Sequence, residues 1–456
     1  MSNFERIAVL DIGKTNAKVV IFDAVSGAEI ETRRMPNRVL SGPPYPHYDV
    51  EALWAFLIET LAVFARQPGF DAISITTHGA SAALIDADGQ LALPVLDYEH
   101  EYPEEISRAY DAMRPEFAET FSPRLSGGLN LGAQIHYQKT AFPAEFARVR
   151  TILTYPQYWA YRLSGVAASE ATSLGCHTDL WKPHEASYSS LVDALGVRDL
   201  MAPVHSAFDR VGTTLPGIVS AVALPRPVPV FCGIHDSNAS LLPYLSEREA
   251  PFAVVSTGTW VINFAVGGDI DRLDPSRDTL ANVDAYGRVV PSARFMGGRE
   301  FELLTTELGG LDQDLAIAAL PRVIEKRLML LPNIVAGSGP FPDRQREWAN
   351  DEGASTQQRW AAACLYFALM TETCLDLAGA KGPILVEGPF ALNGLYLNLL
   401  AGLTGREVLA VPGSTGTSQG AALLAGVEPA ARNGVSAAGV DHDGLAGYRS
   451  DWLDRT

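Results

Sequence analysis

Strand-like and helical patterns of apolar residues alternate along this chain. Arg6–Leu10 and Ala17–Phe22 are two β-rich runs joined by the polar stretch Asp11-Ile12-Gly13-Lys14-Thr15-Asn16. That arrangement predicts a β-hairpin with a glycine-containing turn. Val50–Arg66 repeats its apolar positions at helical spacing. Ala72–Thr77 reads as a strand ending in Thr77-His78-Gly79, and Ala82–Ile85 as another, closed by the turn Asp86-Ala87-Asp88-Gly89. Pro225–Gly233 is a proline-punctuated strand running into Ile234-His235-Asp236-Ser237-Asn238, where a helix is expected to start.

Half a chain length after the first hairpin a second one appears. Ala253–Val255 and Trp260–Val266 flank Ser256-Thr257-Gly258-Thr259. A long amphipathic helix is predicted over Thr356–Ala378, with Ser355 as its N-cap and Gly379 closing it. The strand Pro383–Val386 then breaks at Glu387-Gly388-Pro389, and a helix is expected from Gly394 to about Gly402. The strand Glu407–Val411 leads into Gly413-Ser414-Thr415-Gly416-Thr417-Ser418-Gln419-Gly420 and a helix of small residues. Strand–helix alternation predicts an α/β protein, and the two hairpins suggest halves built as distant copies of one plan. We therefore expect two domains, 1–243 and 244–456.

Composition narrows the class. A chain of 456 residues exceeds one simple core, and 47% hydrophobic with 19% charged residues is enough to bury two. The net charge of -18 argues against nucleic acid and anionic membranes as partners. A polyanion such as ATP would need a local site of backbone N–H groups, a few Lys or Thr side chains and a metal ion. Cys176, Cys232, Cys364 and Cys374 form no C-x-x-C pair and read as buried thiols of a reducing compartment. The charged Met1–Arg6 runs straight into a strand without the apolar core of a signal peptide, and no apolar run is bilayer-length. A cytoplasmic protein is expected.

The chemistry concentrates at strand ends. A phosphate cradle needs closely approachable backbone N–H groups and hydroxyl donors. Gly13, Thr15, Asn16 and Lys18 could supply one, with Asp11 holding Mg²⁺ through water. Thr257, Gly258 and Thr259 offer a similar cradle in the second half. Either turn alone could be an ordinary polar hairpin; two, half a chain apart, could clamp one triphosphate from both sides. Asp236, at a strand-to-helix junction, is a candidate general base for a hydroxyl nucleophile or else only a helix cap. His235 reads as its polar neighbour. His78 and Gly79 could meet substrate hydroxyls or form a plain loop. Gly388 and Asn393 could line a nucleoside site or a plain strand–helix loop. No zinc spacing, P-loop or Rossmann fingerprint occurs.

Taken in order, these pieces resemble the FGGY carbohydrate kinases of the actin, hexokinase and heat-shock ATPase superfamily. Val9–Lys18 is similar to that family's first phosphate motif, with Lys14 where a small residue is usual. Thr76–Gly79 resembles a sugar-reaching segment. Tyr155–Trp159 and Tyr161–Gly165 resemble a characteristic helix with its cap, and Ser169–Ser173 the segment after that helix. Gly233–Asp236 matches the catalytic base motif, Ser256–Thr259 the second phosphate motif and Glu387–Asn393 the adenosine motif. Two departures stand out. Pro389 and Phe390 follow Gly388 where glycines are usual, and Leu96-Asp97-Tyr98-Glu99-His100-Glu101 lacks an expected arginine.

The resemblance implies two actin-like (ribonuclease H-like) domains flanking a central cleft. The first would carry the sugar and Asp236, the second ATP. It implies ATP and Mg²⁺, a small sugar substrate, and transfer to a primary hydroxyl of a ketose or polyol, the nearest branch being the L-fuculose and L-rhamnulose kinases. Xylulose, ribulose and polyols stay open as acceptors, as does a homodimer. An actin-like ATPase switch and a catalytically dead sensor are the alternatives.

Overall fold

The computed structural model describes residues 4–413, 416–427, 434–440 and 443–456. Two compact units emerge. The first comprises 1–247, 281–289 and 415–431; the second comprises 248–280, 290–414 and 432–456. A single cut at 243/244 does not describe this division, because 281–289 and 415–431 return to the first unit.

The main sheet of the first unit runs Arg210–Thr213, Pro229–Phe231, Ala72–Thr77, Arg6–Ile12, Asn16–Asp23, Glu29–Pro36. Arg6–Ile12 pairs antiparallel with Asn16–Asp23, as the polar turn predicts, and parallel with Ala72–Thr77. The predicted strand over 225–233 is shorter, Pro229–Phe231, followed by Ile234–His235 on the end of Ala72–Thr77. Val50–Arg66 is helical, and its buried stripe of Leu53, Leu57, Leu61 and Phe64 joins the core under this sheet. On the other face, Ile7, Val9 and Val20 pack with Ala421, Ala422 and Leu423 of the helix Gly416–Leu424. A smaller sheet of Leu91–Leu93, Ala82–Asp86 and Val149–Thr154 has its own apolar cluster.

The second unit repeats the order. Val289–Phe295, Val261–Val266, Phe252–Thr257, Ile384–Glu387, Val408–Val411 and Val435–Ser436 are successive neighbours. Phe252–Thr257 pairs antiparallel with Val261–Val266 and parallel with Ile384–Glu387. In both units an antiparallel strand closes the far edge, so the two hairpins occupy corresponding places. The helix Thr356–Leu377 starts at a full capping box between Ser355 and Gln358 and is buried without a break from Trp360 to Thr371. The helix Leu445–Leu453 was not foreseen. Its buried Leu445, Tyr448 and Trp452 recur at three- and four-residue steps, a signal obscured by the Gly/Ala/Asp-rich chain before it.

Candidate active site

In the first unit the hairpin turn is closed by Gly13 N–H donating to Asn16 O at 2.9 Å. Thr15 and Asn16 are exposed at its tip. Asp11 ends the first strand, buried. Its Oδ2 accepts from Thr417 Oγ1 at 2.7 Å and Ser418 Oγ at 2.5 Å, and lies 3.3 Å from Lys18 Nζ. The two hydroxyls come from the first turn of Gly416–Leu424, held against the sheet where Ser74 Oγ donates to Ala421 O at 2.6 Å. The sequence pattern singles out their stretch but not this contact. Ser414 and Thr415, from that stretch, lie outside the described residues.

Asp236 begins the helix Asp236–Glu247, directly after the short strand Ile234–His235. His235 N–H donates to Thr172 Oγ1 at 3.1 Å, and Thr172 Oγ1 and N–H both donate to the buried Glu170. Behind the candidate base, then, stands a hydrogen-bonded support that the 169–173 segment signalled only through the resemblance. Burial holds the His235 imidazole neutral, with its pKa lowered to about 4. Asn238 Nδ2 donates to its Nδ1 at 3.2 Å, so the ring proton sits on Nε2 and faces Asp236 Oδ1 at 3.2 Å. His235 is thus more than a polar neighbour. Loss of solvation, and then the negative charge of Asp11, raise the Asp236 carboxyl to about 7 although 28% of its side chain is exposed.

Gly79 makes this geometry possible: a Cβ there would lie 2.6 Å from His235 Nε2. His78 is buried among Tyr48, Tyr155 and Tyr98, with ring centroids 4.9, 4.9 and 5.6 Å away. Its Nδ1 donates to Gly79 O at 2.8 Å. Nε2 is therefore an acceptor, and it is buried without a hydrogen-bond partner among the described residues.

In the second unit Gly258 and Thr259 are exposed at the hairpin tip, where Gly258 N–H donates to Trp260 O at 2.9 Å. Gly298, near the start of the helix Gly297–Leu308, sits against that tip: a Cβ on it would be 1.9 Å from Gly258 O. Thr257 points inward. Its Oγ1 donates to Glu387 O at 2.5 Å and accepts from Phe390 N at 3.1 Å. Gly388, at φ +78°, has no room for a Cβ, which would fall 2.0 Å from Thr257 O. The glycine lets this loop close on the hairpin. Asn393 caps the helix Gly394–Thr404 through Tyr396 N at 3.0 Å, while its Nδ2 reaches Cys364 Sγ at 3.6 Å. Phe390 is a core residue among Phe301, Phe367 and Tyr396. Thr257 and Asn393 thus hold the frame of their loops with their side chains.

The strand order of the two sheets defines an actin-like α/β scaffold. Residues 6–243 match the profile of the FGGY family of carbohydrate kinases, N-terminal domain, and 249–433 that of carbohydrate kinase FGGY, C-terminal domain. This chain belongs to the FGGY carbohydrate kinase family. A carbohydrate kinase from Novosphingobium aromaticivorans is 38% identical with a TM-score of 0.91, covering 98% of this chain and 99% of that one. The L-fuculokinase of Salmonella typhi is 23% identical over 58% of this chain and 57% of its own, little more than half its length. The rhamnulokinase of Mannheimia succiniciproducens is 24% identical over 89% of this chain and 86% of its own. No helix among the described residues is long and apolar enough to cross a membrane.

Proposed function

We propose that this chain transfers the γ-phosphoryl group of ATP to a primary hydroxyl of a ketose or polyol, with a deoxy-ketohexose such as L-fuculose or L-rhamnulose as the first acceptor to try. The observation that carries this reading is the Asp236 carboxylate, oriented by the Nε2–H of His235 and raised to about 7. A base acts best when its pKa lies near the working pH. With Oδ1 held by His235, Asp236 takes the proton of the attacking hydroxyl. His78 Nε2 accepts a hydrogen bond from another sugar hydroxyl. Gly13 and Gly258, whose own N–H groups close their turns, shape the two cradles, and Thr15, Asn16 and Lys18, with Thr259 in the second unit, offer donors to phosphate oxygens. Gly388 and Asn393 shape the loop assigned to the nucleoside.

Asp11 suits Mg²⁺. It is a buried carboxylate beside two hydroxyls, with Lys18 Nζ 3.3 Å from its Oδ2, so Mg²⁺ would be held there mainly through water and phosphate oxygens. When bound, the ion would offset charge on the phosphates. The need for ATP supports a cytoplasmic location.

The test is a coupled ADP assay over a panel of ketoses and polyols. Asp236→Ala should lose about 10²–10⁴-fold in kcat while calorimetric binding of a non-hydrolysable ATP analogue persists. Wild-type-like turnover by the variant, or ADP release indifferent to sugar, overturns the reading.

A further inference from the structure

Lys14 follows Gly13 in the hairpin assigned to phosphate, yet its side chain goes elsewhere. Its ammonium pairs with Asp97 Oδ1, lies 3.4 Å from Glu99 Oε2, and stands 4.5 and 5.2 Å from the ring centroids of Tyr98 and Tyr48. Lys18, four residues on, serves Asp11 instead. The segment 96–101 carries Asp97, Glu99 and Glu101 with no lysine or arginine of its own, so Lys14 brings a cation to it.

This box adjoins the acceptor end of the site. Tyr48 OH donates to Asp97 Oδ1 at 3.3 Å, and the Glu99 N–H reaches the same oxygen at 3.3 Å. Tyr48 and Tyr98 are also the rings around His78, whose Nε2 is buried without a partner among the described residues. The charge of Asp236 adds to burial in holding the Tyr98 phenol protonated. Lys14, Asp97, Tyr98 and His78 thus share one wall, with Asp236 near enough for its charge to be felt at Tyr98.

We propose that Lys14 is a specificity-determining residue of the acceptor site, donating to a hydroxyl or carbonyl oxygen of an uncharged ketose or polyol. This rests on the kinase reading and names the acceptor class within it. An ammonium has three donors; Asp97 and Glu99 engage two, and the aromatic faces steady the charge. Beside it the Asp97 carboxylate accepts only. Donor and acceptor side by side match adjacent hydroxyls, one giving and one receiving a proton. Two carboxylates around one ammonium leave the wall net negative, with Asp236 adding to it. A carboxylate-bearing acceptor such as an aldonate meets repulsion there.

The experiment compares wild type, Lys14→Met and Lys14→Arg, with KM for acceptor and for ATP measured separately. A ketose and the aldonate of equal chain length are run side by side. The wild type should turn over the ketose and not the aldonate. Lys14→Met should raise the acceptor KM about 10- to 100-fold, the range of one lost charged hydrogen bond, and leave the ATP KM within about twofold. Lys14→Arg should restore most of the acceptor affinity. Should Lys14→Met fail to fold, Lys14→Met with Asp97→Asn removes the unpaired carboxylate and should raise the acceptor KM at least as much, with the ATP KM still within about twofold. A rise in ATP KM with the acceptor KM unchanged overturns the proposal, as does equal use of the aldonate. A wild type inactive on every acceptor defeats the kinase reading itself and the proposal with it. An active wild type whose acceptor KM ignores Lys14 defeats only the proposal.

Discussion

Burial and the charge of Asp11 raise the Asp236 carboxyl to about 7, so the base role proposed for it should depend on pH. Only the ionised carboxylate can accept the hydroxyl proton. Acceptor kcat/KM should therefore climb with pH, about tenfold per unit well below 7, and level off above it. A stopped assay in constant-ionic-strength buffers checks this; a flat profile between pH 5 and 8 removes Asp236 from the role. At this scale the sequence was legible where a residue acts alone. Asp236, His78 and Gly79 could be singled out as candidates because each comes just after a strand. The hydrogen bond from His235 could not, since it depends on Asn238 fixing the ring tautomer and on Gly79 leaving room for the ring. Thr257 was read as a phosphate donor from its residue type, but its hydroxyl closes the loop at Gly388. A threonine at a turn has the same local signature in either role.

Helices were legible where apolar spacing or caps announced them, as with Val50–Arg66 and Thr356–Leu377. What each helix holds was less so. Glu300, in Gly297–Leu308, is fully buried; its Oε2 accepts from Tyr366 OH at 3.1 Å and its Oε1 from Val335 N at 3.4 Å. Burial raises its carboxyl from 4.5 to about 7. The folded state therefore binds the proton more tightly than the unfolded chain does. Its contribution to stability is complete below the unfolded value and is lost as pH rises through about 7. Glu300→Gln keeps an acceptor oxygen but not the charge. It should match the wild type near pH 4.5 and exceed it at pH 8 by about 1–3 kcal/mol. Thermal melts at both pH values test this, and a variant less stable at pH 8 contradicts it. Nothing in the local pattern marks Glu300, because the partners that bury it come from residues 335 and 366.

Across the whole molecule the two hairpins exposed the repeated plan, since each is a short local signal. The return of 281–289 and 415–431 to the first unit was not readable, because such contacts join residues hundreds of positions apart. Cutting after 247 removes the cover of Ile7, Val9 and Val20, the hydroxyls on Asp11, and the helix whose Gly420 lies against Ala239. A fragment of residues 1–247 should lack a cooperative melt by circular dichroism and digest readily under limited trypsin; a sharp native-like transition would show that the returning helix is dispensable. Synthesis on the ribosome adds a consequence. Asp11 is made 406 residues ahead of Thr417, so Thr417 and Ser418 reach it only after that whole stretch has been translated. A nascent or prematurely terminated product thus carries the aspartate without its lock, so an unfinished copy should not split nucleotide ahead of completion.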